Sequence, residues 1–180
     1  MTVFARAKGI AILGLGSVLL ASCLTASAAT VETQTYQWNN VAIGGGGFVT
    51  GLVFHPNEKG LAYARTDVGG AYRWDAVANR WEPLTDWLGA DDSNLLGIES
   101  IAVDPSDPQR VYLAAGTYLN ERVGKGAILR SQDRGRSFQR ADLPFKLGGN
   151  EMGRGNGERL AVDPNDGRAL FFGSRAKGLR

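Results

Sequence analysis

The sequence predicts an all-β fold made of repeated four-stranded sheets, and three observations carry that prediction. A short phrase returns three times: Val53-Phe54-His55-Pro56, Ala102-Val103-Asp104-Pro105 and Ala161-Val162-Asp163-Pro164. Each is followed by a polar turn and a second apolar run, Leu61–Ala64, Val111–Ala114 and Ala169–Phe172. The intervening segments are short, bounded by turn residues and free of helical periodicity. A repeat of roughly 50 residues built from short strands is the signature of a β-propeller blade.

Taken in order, the first blade is expected to place strands at Val49–Phe54, Leu61–Thr66, Ala71–Trp74 and Arg80–Leu84. The second places them at Ile98–Val103, Arg110–Ala115, Ala127–Arg130 and Ser137–Leu143. A third begins at Arg159–Val162, continues through Ala169–Phe172 and starts its third strand at Gly178-Leu179-Arg180. A propeller closes with roughly four to eight blades. Two and a half blades therefore read as incomplete, and residues 30–180 as the truncated N-terminal part of the first propeller of a longer protein.

Residues 1–29 read as a secretory signal. Arg6 and Lys8 precede an apolar run from Gly9 to Leu20, and small residues follow. That run is short of the roughly 20 residues needed to span a bilayer. Two cleavage readings compete. Ala26-Ser27-Ala28 suits ordinary signal peptidase, while Leu20-Ala21-Ser22-Cys23 resembles a bacterial lipobox that would lipidate Cys23. Either way the protein is exported: secreted or periplasmic in the first case, anchored to the outer membrane in the second.

Composition narrows the chemistry. Cys23 is the sole cysteine and His55 the sole histidine. A mature chain without Cys23 has no disulfide and no thiolate site. His55 occupies the repeat slot of Asp104 and Asp163, so its expected role is structural. Loss of the leader removes Arg6 and Lys8, leaving 18 basic against 18 acidic residues. That balance argues against nucleic acid or an anionic membrane surface as partner.

The second blade carries Ser131-Gln132-Asp133-Arg134-Gly135-Arg136-Ser137-Phe138. It matches the Asp-box pattern of sialidase-like propellers, a serine, an aspartate, a glycine and an aromatic at fixed spacing. Asp133 is expected to accept from the turn's own amides, Gly135 to take a positive φ, and Phe138 to plug the hairpin. Asp133 is thus read as structural rather than catalytic.

Function is expected on the opposite end of the blades, in the loops that join second to third strands and one blade to the next. Within Tyr63–Trp74, Asp67 closes the second strand, Gly69-Gly70 permit a tight turn, and Arg65 and Arg73 are placed to hold its charge. The residues alone leave Asp67 either a turn cap or a functional carboxylate. Trp87 is either a sugar platform facing the channel or a ring packed at the blade edge. Tyr118 and Asn120 are further candidates, while Trp74 and Trp81 belong to the blade core. Gly153–Glu158 resembles a phosphate cradle but precedes a strand instead of a helix, which argues against nucleotide.

The ordered set of Trp38–Val41, Gly44–Phe48, Leu61–Trp74, Ala127–Ser131 and Gly148–Pro164 resembles the glycoside hydrolase family 74 xyloglucanases. The resemblance implies two tandem seven-bladed propellers with a polysaccharide cleft between them. It also implies inverting cleavage of β-1,4-glucan backbones, chiefly xyloglucan, with no metal or organic cofactor. Asp67 then inherits the role of general base, Arg65, Trp87, Tyr118 and Asn120 become substrate-binding candidates, and the general acid is an Asp in the other propeller. On this view residues 30–180 alone are inactive. Many relatives carry several tryptophans where this chain reads Ala90–Leu96, which bears on substrate and on endo- or exo-mode. The alternative is a non-catalytic Asp-box propeller that binds glycans or proteins.

Overall fold

The computed structural model describes residue 35, residues 42–175 and residues 177–180. The leader, Cys23 and the Trp38–Val41 stretch lie outside the described residues. Three antiparallel sheets follow one another along the chain. The first has the order β1(Val49–Phe54), β2(Ala62–Thr66), β3(Ala71–Asp75), β4(Arg80–Pro83). The second repeats it with β5(Ile98–Asp104), β6(Asp107–Ala115), β7(Ala127–Ser131) and β8(Gln139–Asp142). The third contains β9(Leu160–Asp163), β10(Asp166–Ser174) and β11(Gly178–Leu179). The expected meander is thus present, each strand within a few residues of its predicted span. These are propeller blades, and their first strands converge, β5 lying against both β1 and β9.

The registers are equivalent from blade to blade. Val53, Tyr63, Arg73 and Glu82 form one row across the first sheet. Ile101, Leu113, Leu129 and Arg140 form its counterpart in the second. Alternation sorts the side chains to the two faces of a strand. In the second blade, Ile101, Val111, Leu113, Ala115, Ala127 and Leu129 pack toward the first blade with Leu61, Tyr63, Ala71 and Leu84. Ala102, Tyr112 and Ala114 pack on the other side with Leu147, Leu160 and Phe172. Both faces of β6 are therefore dry, which is why Val111–Ala115 is an unbroken apolar run rather than an alternating one. The outer sheets cover one face only, and Leu52, Phe54 and Phe171 remain exposed.

The repeated phrase has one job in all three blades. His55 Nδ1 accepts from Asn57 N at 3.2 Å, Asp104 Oδ1 from Ser106 N at 2.9 Å, and Asp163 Oδ1 from Asn165 N at 2.8 Å. Each side chain closes the turn two residues ahead. With Nδ1 accepting, the His55 proton sits on Nε2, which donates to the Asp104 carbonyl at 2.9 Å. His55 is a turn cap that also joins two blades.

One element departs from expectation. Ala90–Leu96 forms a 3-10 helix, where an irregular loop was anticipated. It buries Leu95, and Asn94 ties it to Thr117, whose hydroxyl donates to the Asn94 carbonyl at 2.7 Å. The Leu96 carbonyl accepts from Gly70 N at 2.7 Å, so this helix buttresses the β2–β3 turn. On its solvent-facing side Asp92 pairs with Arg140 at 2.6 Å.

Candidate active site

The site is built on the β2–β3 turn. Thr66 makes the turn: its N–H donates to the Gly70 carbonyl at 3.0 Å and its hydroxyl to the same oxygen at 2.8 Å. Gly69 N donates back to that hydroxyl at 2.8 Å. Gly70 has φ +84°, and a Cβ there would lie 1.9 Å from Thr85 Oγ1. Only glycine satisfies both the dihedral and the space. The turn is rigid.

Asp67 sits one residue beyond β2 at the mouth of this turn. Its N–H donates to the Phe48 carbonyl at 3.1 Å, and Phe48 N donates to Asp67 Oδ1 at 2.8 Å. Arg154 Nε lies 3.3 Å from Oδ2. Each carboxylate oxygen thus has its own partner, and the side chain is only 9% exposed. The Arg154 guanidinium also stands 5.7 Å from the centre of the Phe48 ring. Phe48 itself is 62% exposed, an aromatic face presented beside the carboxylate.

The two arginines expected around Asp67 are elsewhere. Arg73 pairs with Glu82, its direct cross-strand neighbour on β4. Arg65 is wholly buried and pairs through Nε with Glu158 Oε1 at 2.6 Å. Its Nη1 donates to Thr50 Oγ1 at 2.7 Å and the Arg154 carbonyl at 2.9 Å, and its Nη2 to the Gly157 carbonyl at 3.1 Å. With no exposed surface Arg65 is not a substrate contact; it anchors the loop from which Arg154 reaches Asp67.

The remaining candidates divide. Trp87 keeps half its surface exposed, but its ring stacks on Phe138 at 6.3 Å and its Nε1–H donates to the Leu84 carbonyl at 3.0 Å. That is a seat at the seam between blades. Tyr118 Oη accepts from Asn150 Nδ2 at 2.7 Å, which ties two loops together. Asn120 Oδ1 accepts from Arg122 N at 2.9 Å within its own exposed turn. Phe48 and Arg154 were not singled out from the sequence. The glycine run before Phe48 and the reversal at Gly153–Gly157 were the available signals.

The 131–138 hairpin is closed by hydrogen bonds from its own side chains. Ser131 Oγ accepts from Gly135 N at 2.7 Å and donates to Asp133 Oδ1 at 2.7 Å. Ser137 N donates to Asp133 Oδ1 at 2.9 Å, and Gly135 has φ +86°. Burial would raise the Asp133 pKa, but the hydrogen bonds from Ser137 and Ser131 outweigh it and bring the carboxyl to about 2. Phe138 packs against the core between the first two blades. Asp133 is a turn anchor.

Among the described residues no cluster of His, Cys, Asp or Glu is arranged to hold a metal, and no helix is long and apolar enough to cross a membrane. No protein-family model matches the chain. A xyloglucanase of Paenibacillus sp is 57% identical over 146 residues, 80% of this chain and 14% of that protein. The oligoxyloglucan-reducing end-specific xyloglucanase of Emericella nidulans is 51% identical over 156 residues, 87% of this chain and 19% of its own length. The crystal structure of the glycoside hydrolase family 74 xyloglucanase from Xanthomonas campestris aligns with a TM-score of 0.74 at 72% identity. That alignment covers 81% of this chain and 20% of the solved one. In sequence and in fold, the chain is homologous to the glycoside hydrolase family 74 xyloglucanases, and it spans between 14% and 20% of the length of these relatives.

Proposed function

We propose that this chain supplies one wall of the active site of an exported, inverting glycoside hydrolase that cleaves the β-1,4-glucan backbone of xyloglucan, with Asp67 as general base. The observation that carries the reading is the seating of Asp67: a carboxylate at the mouth of a rigid turn, held at both oxygens, beside an exposed aromatic ring.

Inversion needs two carboxyl groups, one to protonate the leaving oxygen and one to activate water on the opposite face of the sugar. The Asp67 carboxylate takes a proton from water as the water oxygen attacks the anomeric carbon. The bond to the leaving oxygen breaks as a second carboxylic acid donates its proton there. A separation of roughly 6.5–9.5 Å leaves room for the water, and the resemblance to the family implies that the acid lies across a cleft from Asp67, in the other propeller. Phe48 offers an apolar face to a pyranose ring next to the base. Residues 131–138 serve as an Asp box, and residues 1–29 direct export.

The test is Asp67→Asn in a complete enzyme carrying this segment. Loss of general-base catalysis typically costs about 10²–10⁴-fold, and polysaccharide binding should survive because the amide keeps the shape of the side chain. Hydrolysis at the wild-type rate would remove Asp67 from the mechanism. Residues 30–180 alone should show no turnover, since they contain one wall only.

A further inference from the structure

We propose that Arg154 is a positioning residue for the Asp67 carboxylate, held in that role through its own main chain by Arg65. The proposal rests on the reading of Asp67 as general base. A general base acts only when a lone pair points at its water within about 2.6–3.2 Å. The Phe48 N–H fixes Asp67 Oδ1 at 2.8 Å but leaves the carboxylate free to turn about that oxygen. The Arg154 guanidinium at 3.3 Å from Oδ2 restrains the second oxygen, as an ion pair without a linear hydrogen bond. Two restraints on two oxygens define the plane of the group.

Arg154 comes from the long loop between β8 and β9, a segment that would ordinarily wander. Here it is tied down. Arg65 donates to the carbonyls of Arg154 and Gly157 at 2.9 and 3.1 Å and pairs with Glu158 at 2.6 Å. Arg65 stands two residues before Asp67. The contacts therefore close a ring: Arg65 side chain to Arg154 main chain, Arg154 side chain to Asp67, and the backbone from Asp67 back to Arg65. The Phe48 ring, 5.7 Å from the guanidinium, limits its swing. Arg154 is 35% exposed and Arg65 buried, so the pair divides into a hand that holds the base and an anchor beneath it.

The experiment compares Arg154→Ala, Arg154→Lys, Asp67→Asn and the Asp67→Asn/Arg154→Ala double variant of a complete enzyme, reading kcat and KM on xyloglucan. Misplacing a catalytic group by about 1 Å can cost about 10²-fold, and Arg154→Ala should lower kcat by about that factor with KM little changed. Arg154→Lys, which keeps the charge, should recover part of the loss. In the Asp67→Asn background Arg154→Ala should have no further effect, because a residue that acts through Asp67 has nothing left to position. An unchanged kcat in Arg154→Ala would overturn the proposal. So would a rise in KM alone, or an equal loss in both backgrounds. If Arg154→Ala does not fold, Arg154→Met and the lysine variant carry the same comparison. An active Asp67→Asn enzyme would instead remove the base itself, and with it any action of Arg154 through that carboxylate.

Discussion

Arg65 and Glu158, 93 positions apart, meet in an ion pair of 2.6 Å whose arginine has no exposed surface. The other glutamate oxygen accepts from Ser100 Oγ at 2.7 Å and Ile101 N at 2.6 Å. One carboxylate thus joins β2 of the first blade, β5 of the second and the loop that enters the third. Gly51 makes room for it: a Cβ there would lie 2.7 Å from Arg65 Nε and 2.8 Å from Glu158 Oε1. A buried cation in a propeller wall is tolerable only with this degree of satisfaction.

Glu158→Ala should therefore destabilise a complete enzyme severely. Removing one member of a buried pair costs about 3–5 kcal/mol. Glu158 is 26% exposed and water can replace part of its contribution, so the lower end, about 3 kcal/mol, is expected. The apolar pair Arg65→Met/Glu158→Leu should cost less than Glu158→Ala alone, since no charge is then stranded. Urea-unfolding midpoints of the wild type and these two variants measure this. A loss within about 0.5 kcal/mol for Glu158→Ala, the level of an ordinary surface change, would show that the pair contributes nothing.

The blade architecture was legible because it is written in local chemistry. The slot of His55, Asp104 and Asp163 recurs since each closes its own turn, and a turn reaches only two residues along the chain. The apolar run Val111–Ala115 announces a strand dry on both faces. The partner of Asp67 was not legible in this way. Arg65 and Arg73 are near it in sequence, but Arg73 faces Glu82 across β3 and β4, and Arg65 is drawn to a glutamate 93 residues later. Arg154 arrives from a different blade, and only the assembled fold brings it to Asp67. The 3-10 helix at Ala90–Leu96 was missed for another reason: seven residues with three per turn leave no 3.6-residue stripe to read.

The hairpin at Asp133 supplies a pH test. Its carboxyl has a pKa of about 2, below the ordinary 3.8. A folded-state value below the unfolded one adds stability that is complete above pH 3.8 and is lost as pH falls toward 2. Asp133→Asn removes the titrating group and the charged acceptor, and should cost about 1–2 kcal/mol near neutrality. The stability gap between wild type and Asp133→Asn should then shrink across that acid window, as followed by thermal melting at a series of pH values. Other carboxylates titrate equally in both proteins and cancel in the difference. A gap of constant size through the window would mean that the hydrogen bonds of Asp133 do not depend on its charge.

Phe48 gives the remaining prediction. A phenylalanine left 62% exposed keeps much of its apolar ring in water, a cost that a ligand able to cover it would recover. Its backbone is fixed from both directions by Asp67, and the Arg154 guanidinium lies 5.7 Å from its ring, so the face is presented with little freedom left to lose on binding. Phe48→Ala should weaken binding of xyloglucan oligosaccharides about tenfold, equal to about 1.4 kcal/mol. Phe48→Trp should preserve it, because stacking asks for a flat apolar ring rather than for phenylalanine. Calorimetry on the Asp67→Asn background reads affinity without turnover. If Phe48→Ala leaves affinity unchanged while lowering the melting temperature, the ring is a packing element covered by a neighbouring part of the protein, and the sugar face beside Asp67 must be supplied by another residue.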